Sequence, residues 1–170
     1  MKFTLNTLLV LSLFPVAFAA NSADYQVQPG KLHRKGKVIV NILPDPEKYR
    51  VKMDFNVKKK DYVPVPGKLL RGTTIMEFPK EFRTEKGYKN LEKKKKISIH
   101  KADLQFIKRA DVGKLKDAYF FEVRPTNKKS KIEIIYHPTL PSVGWLEVDI
   151  TFLSEIPVLN GYELEAKLRQ

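Results

Sequence analysis

Cysteine is absent from the 170-residue chain. Without a thiol there is no disulfide staple, no thiolate nucleophile and no cysteine-ligated metal site. Histidine is nearly as scarce: His33, His100 and His137 lie far apart, with no paired spacing of the H-x-x-x-H kind that metal ligation favours. The 8 glycines are scattered, and neither G-x-x-x-x-G-K nor G-x-G-x-x-G occurs, so no phosphate-cradling loop is encoded. Ser22, Ser98, Ser130, Ser142 and Ser154 all lack the G-x-S-x-G setting of a hydrolase elbow. These absences lead us to expect no catalytic residue, no metal, no cofactor and a non-enzymatic protein.

Long apolar runs are also missing, with one exception at the start. Lys2 precedes an almost wholly apolar stretch from Leu8 to Phe18 that ends in Ala17-Phe18-Ala19. Such a pattern is that of a secretory signal peptide spanning residues 1–19, cleaved after Ala19. Pro15 breaks the run and polar residues follow it, so it is too short for a retained span, and no transmembrane segment is expected in the mature chain. An exported chain without cysteine points to a periplasmic or extracellular bacterial location, because small eukaryotic secreted domains usually carry bridges.

What the chain has in excess is positive charge. There are 32 Lys and Arg against 19 Asp and Glu, and removal of the leader leaves 31 against 19, a net +12. Residues 140–170 hold five acids and two bases, so residues 20–139 carry +15. A field of that sign favours anionic partners. Export removes nucleic acid from the expected ones, leaving an anionic polymer such as an envelope polysaccharide, a lipid headgroup or an acidic protein surface.

Period-2 alternation dominates the rest. Val51, Met53, Phe55 and Val57 alternate with polar residues, as do Val148, Ile150 and Phe152 and Tyr162, Leu164 and Ala166; Tyr119, Phe121 and Val123 alternate with Phe120, Glu122 and Arg124, and Ile132, Ile134 and Tyr136 follow the same rhythm with Lys131 and Glu133 between and beside them. Each is a strand with one buried and one wet face. Turn clusters such as Pro44-Asp45-Pro46, Pro125-Thr126-Asn127 and Asn160-Gly161 separate them. Weaker strands are expected at 73–78, 96–100 and 103–108. Residues 79–96 resist the pattern: Phe78 with Phe82 and Tyr88 with Leu91 have helical spacing, predicting short helical turns in that connection. The expected fold is therefore all-β, an antiparallel β-sandwich of Greek-key or immunoglobulin-like type, with a closed eight-stranded barrel as the alternative. Residues 20–36, polar and basic, are expected to be a flexible N-terminal arm before one β domain over 37–170.

The candidate site residues are the basic runs. Lys58, Lys59 and Lys60 end one strand; Lys93, Lys94, Lys95 and Lys96 lead into another; Lys128 and Lys129 sit in a turn. If these loops met at one end of the fold they would form an anion-collecting rim, with Tyr62 and Tyr88 available for stacking. The ordinary alternative is that loop lysines keep a β protein soluble and its edges unpaired. Glu147, Asp149, Glu163 and Glu165 form a second cluster, expected to be neutralised across strands by Lys131 and Lys167. Trp145 falls on the polar phase of its strand, which leaves its direction open.

The leading functional expectation is an exported β domain that binds an anionic partner through the lysine-rich loops. The alternative is a barrel resembling lipocalin-like carriers, holding an apolar small molecule against Phe55, Phe106, Phe121 and Ile150. An enzyme using the surface carboxylates ranks last.

Overall fold

Alternating side chains build strands here because each buried apolar residue contributes about 1.5–3 kcal/mol while its neighbours stay wet. The computed structural model describes residues 21–61, 71–153 and 160–169. Its strands are β1 (Ser22–Val27), β2 (His33–Leu43), β3 (Lys48–Lys59) and β4 (Arg71–Pro79), then β5 (Lys96–Ile99), β6 (Ala102–Val112) and β7 (Leu115–Pro125), then β8 (Ser130–Tyr136), β9 (Trp145–Phe152) and β10 (Tyr162–Leu168). A 3₁₀ turn (Lys80–Arg83) and helix α1 (Glu85–Lys94) lie between β4 and β5, as the helical spacing of residues 79–96 predicts. The expected signal peptide, residues 1–19, lies outside the described residues. No described helix is long and apolar enough to cross a membrane.

All ten strands form one antiparallel sheet in the order β4-β3-β2-β1-β10-β9-β8-β7-β6-β5. Two meanders, β1–β4 and β5–β10, are joined where β1 pairs with β10. The sheet curls into a nearly closed barrel whose unjoined edges are β4 and β5. Of the two arrangements the sequence allows, this is the barrel, with ten strands instead of eight and an open seam instead of full closure.

The expected flexible arm is corrected by the structure. Within residues 20–36, β1 buries Ala23, Tyr25 and Val27 and exposes Ser22, Asp24 and Gln26. It pairs on both sides, with β2 and β10, and so occupies the middle of the sheet. Three apolar positions among polar and basic neighbours are a faint signal, and the strand is held by partners on both flanks.

Trp145 points inward, against the phase of the rest of β9. Ile135 faces Glu147, but Tyr136 faces Trp145, so one extra residue of β9 sits in a bulge at that point. Such an insertion flips every side chain beyond it to the other face. The Trp145 indole Nε1 donates to the Tyr88 hydroxyl at 3.1 Å, and the Tyr25 hydroxyl donates to the Trp145 carbonyl at 2.7 Å.

Around this pair the 3₁₀ turn and α1 plug one end of the barrel. Tyr88 stacks on Tyr136 with centroids 3.5 Å apart and planes 7° apart, and Phe82 meets Tyr88 edge-on at 5.1 Å. Gly87 permits the fit: a Cβ there would stand 2.7 Å from the Phe82 backbone. Tyr88 is thus a core residue, not a surface stacking platform, because the helix that carries it turns Tyr88 and Leu91 inward.

Candidate functional site

Away from the plug, the inward row loses volume. Along the β3–β4 pair Val51 faces Met76, Met53 faces Thr74 and Phe55 faces Gly72, so the β4 side chain shrinks from Met to Thr to Gly. The opposite edge ends early, since β5 has four residues. Tapered side chains and an unjoined seam together leave a cavity of about 670 Å³. Its inner wall includes Met53, Phe55, Met76, Val123, Ile132 and Ile150; Arg50, Thr74, Glu77 and His100 stand around its opening between β4 and the β5–β6 hairpin. Ligand cavities commonly have volumes of roughly 300–1,000 Å³ with apolar walls and a few polar groups. Of the four side chains expected to line a lumen, Phe55 and Ile150 do. Phe121 instead packs on Tyr88 with centroids 5.4 Å apart, and Phe106 lies under the Lys95 ammonium at 4.6 Å.

The basic runs do not form one rim. Lys58, Lys59 and Lys60 lie where β3 leaves the sheet, and Lys128 and Lys129 turn from β7 into β8, at the same end but on well-separated strands. Lys93, Lys94 and Lys95 belong to the last turn of α1 and its cap, at the plug. The chain turns there because Lys95 adopts a left-handed φ of 64° while its N–H donates to the Leu91 carbonyl. Lys96 pairs with Asp103 at 2.8 Å. Tyr62 lies outside the described residues.

The acidic cluster is larger than expected and differently composed. Glu165 faces Asp149, Asp149 faces Glu133 and Glu133 faces Glu122, a row of carboxylates across four strands. Glu163 stands outside that row, opposite Thr151. Directly opposed like charges are destabilising, and basic side chains one pleat away answer them. Lys167 reaches Glu165 at 2.5 Å and Glu147 at 3.8 Å; Lys131 reaches Glu133 at 3.2 Å; Arg124 pairs with the buried Glu122. Asp149 has no such partner among the described residues, and its Oδ1 is shielded and without a hydrogen bond. Burial, reinforced by Glu147, Glu165 and Glu133, pushes its carboxyl up to about 7. No group of three His, Asp or Glu among the described residues is set to hold a metal ion.

One site escaped sequence reasoning altogether. His33, placed in the supposed arm, is buried; its Nε2 donates to the Gln28 carbonyl at 2.7 Å and its Nδ1 accepts from the Tyr162 hydroxyl. The ring meets Tyr162 edge-on at 5.5 Å, and a Cβ on Gly30 would stand 2.3 Å from His33 Cε1. Burial holds the imidazole below its ordinary pKa, with Lys60 adding to the effect and the Gln28 carbonyl opposing it. A lone histidine in a basic segment carries no sequence signal for this role. The pair borders a second cavity of about 410 Å³.

A scan of protein-family models, a search of curated proteins and a search of solved structures each find no match to this chain. Fold and site therefore define its class by themselves: a nearly closed barrel of ten described antiparallel strands, plugged at one end by aromatic side chains and open along a seam into a cleft with an apolar wall and a polar lip.

Proposed function

We propose that this is an exported, non-enzymatic barrel protein that carries the apolar part of a small molecule in the seam cavity. The observation that carries the proposal is the contrast within one core: aromatic rings fill the plugged end, while the wall around Phe55 and Ile150 borders a cleft of about 670 Å³ that opens to solvent. Interiors otherwise pack at crystal-like density with few voids larger than a water. Export rests on the leader pattern of residues 1–19, and it places the protein in a periplasmic or extracellular setting. Anion capture by the lysine loops alone has weaker support, because the three runs stand apart. Their charge remains useful to a carrier as a field that draws anionic ligands toward the barrel.

Titration of the mature protein with the neutral, polarity-sensitive dye Nile red tests the proposal. One saturable site with a blue-shifted emission is expected. Thr74→Trp, which fills the cavity from its opening, is expected to weaken binding at least about tenfold while leaving the β-rich circular dichroism unchanged. Absence of saturable binding, or equal binding by the folded Thr74→Trp variant, overturns the carrier reading.

A further inference from the structure

We infer that the cavity's ligand is an anionic amphiphile, with a carboxylate or phosphate head taken by Arg50 at the opening and an apolar chain running inward past Phe55 and Ile150. This deepens the carrier reading and rests on it.

Arg50 lies on the outward phase of β3, and its side chain reaches the cavity's opening. Its Nε is shielded from solvent and makes no hydrogen bond among the described residues. The nearest carboxylate oxygen, Oε1 of Glu77, is 3.4 Å away and badly directed, while Glu77 Oε2 accepts from Lys48 at 3.0 Å. The side chain as a whole is about 33% exposed, and a ligand oxygen meeting the guanidinium from the opening would supply an acceptor that no described residue supplies. Guanidinium groups match the flat, two-oxygen geometry of carboxylate and phosphate better than any other side chain.

The surrounding charge has the right sign. Glu77 is the acid at this opening and is already countered by Lys48. Arg50 shares Glu77 with Lys48, so two bases meet one acid there, and Lys101 adds a further positive charge at the opening, with His100 beside it. Thr73 does not compete, because its hydroxyl donates to Asp54 at 2.6 Å. Immediately inward the wall turns apolar at Met53, Phe55 and Ile150. One charged lip above an apolar wall suits a molecule with one charged end.

Displacement of Nile red by dodecanoic acid, dodecyl phosphate and dodecanol tests the inference, with acetate and inorganic phosphate as headgroups alone. Dodecanoic acid or dodecyl phosphate is expected to displace the dye at a concentration at least tenfold below dodecanol, and the better of the two identifies the head as carboxylate or phosphate. Arg50→Gln is expected to erase that preference while leaving dodecanol within about twofold, and Arg50→Lys to keep part of it; acetate and phosphate displace nothing. Thermal melts of each variant verify folding. Equal displacement by acid and alcohol in the unaltered protein overturns the charged head and leaves the carrier reading standing. So does a preference that survives Arg50→Gln. If no chain-bearing compound competes, the carrier reading itself fails.

Discussion

The two ends of the barrel are built from the same kind of strand and have opposite interiors. At the plugged end Tyr25, Tyr88, Tyr136 and Trp145 meet through stacking and hydrogen bonds and are almost wholly shielded. At the open end Phe55 and Phe152 are half-buried and line a void. The difference comes from two local devices. A bulge in β9 turns Trp145 inward, and the run from Met76 through Thr74 to Gly72 withdraws volume from β4. Close packing is thereby concentrated at one end, leaving the other incompletely filled.

Truncation should expose that inequality most strongly. Trp145→Ala is expected to cost about 3–5 kcal/mol, because it opens a cavity and strands the Tyr88 hydroxyl. Phe55→Ala at the open end should cost about 1–2 kcal/mol, since part of that ring is already exposed and adjoins empty space. Urea unfolding followed by circular dichroism measures both, and equal losses would erase the contrast between the ends.

The next effect separates two titrating groups. Asp149 has a raised folded pKa, so ionising it costs stability: its contribution is present below the unfolded value near 4 and is lost as pH rises through about 7. Asp149→Asn should therefore stabilise the protein at pH 8 by about 1–2 kcal/mol, after allowance for solvent screening of a half-buried group, and change little at pH 4. Chemical denaturation at the two pH values provides the measurement, and a variant equally stabilised at both would refute it.

His33 should give the smaller effect, with opposite sign. Its folded pKa is lowered, so its contribution is present above the unfolded value of about 6.5 and is lost as pH falls below it. His33→Gln should flatten the stability profile between about pH 7 and 5. Because the two groups act against each other in overlapping ranges, the single variants are needed to reveal either slope, and a profile unchanged by His33→Gln would remove the histidine from the account.

Most strands were legible because burial on one face imposes a two-residue rhythm on side-chain chemistry. Val51, Met53 and Phe55 in β3 or Ile132, Ile134 and Tyr136 in β8 announce themselves that way. β1 did not, because three apolar residues among polar ones are too few to register, and its place depends on pairing with β2 and β10. The direction of Trp145 was not legible, because a bulge has no local signature when Leu146 beside it is also apolar. The candidate site was legible in part: Phe55 and Ile150 follow from their phase, but Arg50 reads as an ordinary outward-facing base.

Residue chemistry and periodicity by themselves determined an all-β chain, its one long apolar stretch near the start, its surplus of positive charge and its lack of thiol, metal-ligand and phosphate-loop motifs. Only the tertiary structure decided that the ten strands form one curled sheet with β1 at its centre, that the lysine runs stand apart, and that a seam opens beside Arg50. The physical reason is range. Alternation is written between neighbours along the chain, whereas closure, register shifts and cavities depend on which distant strands meet and on how the volumes of their facing side chains add up.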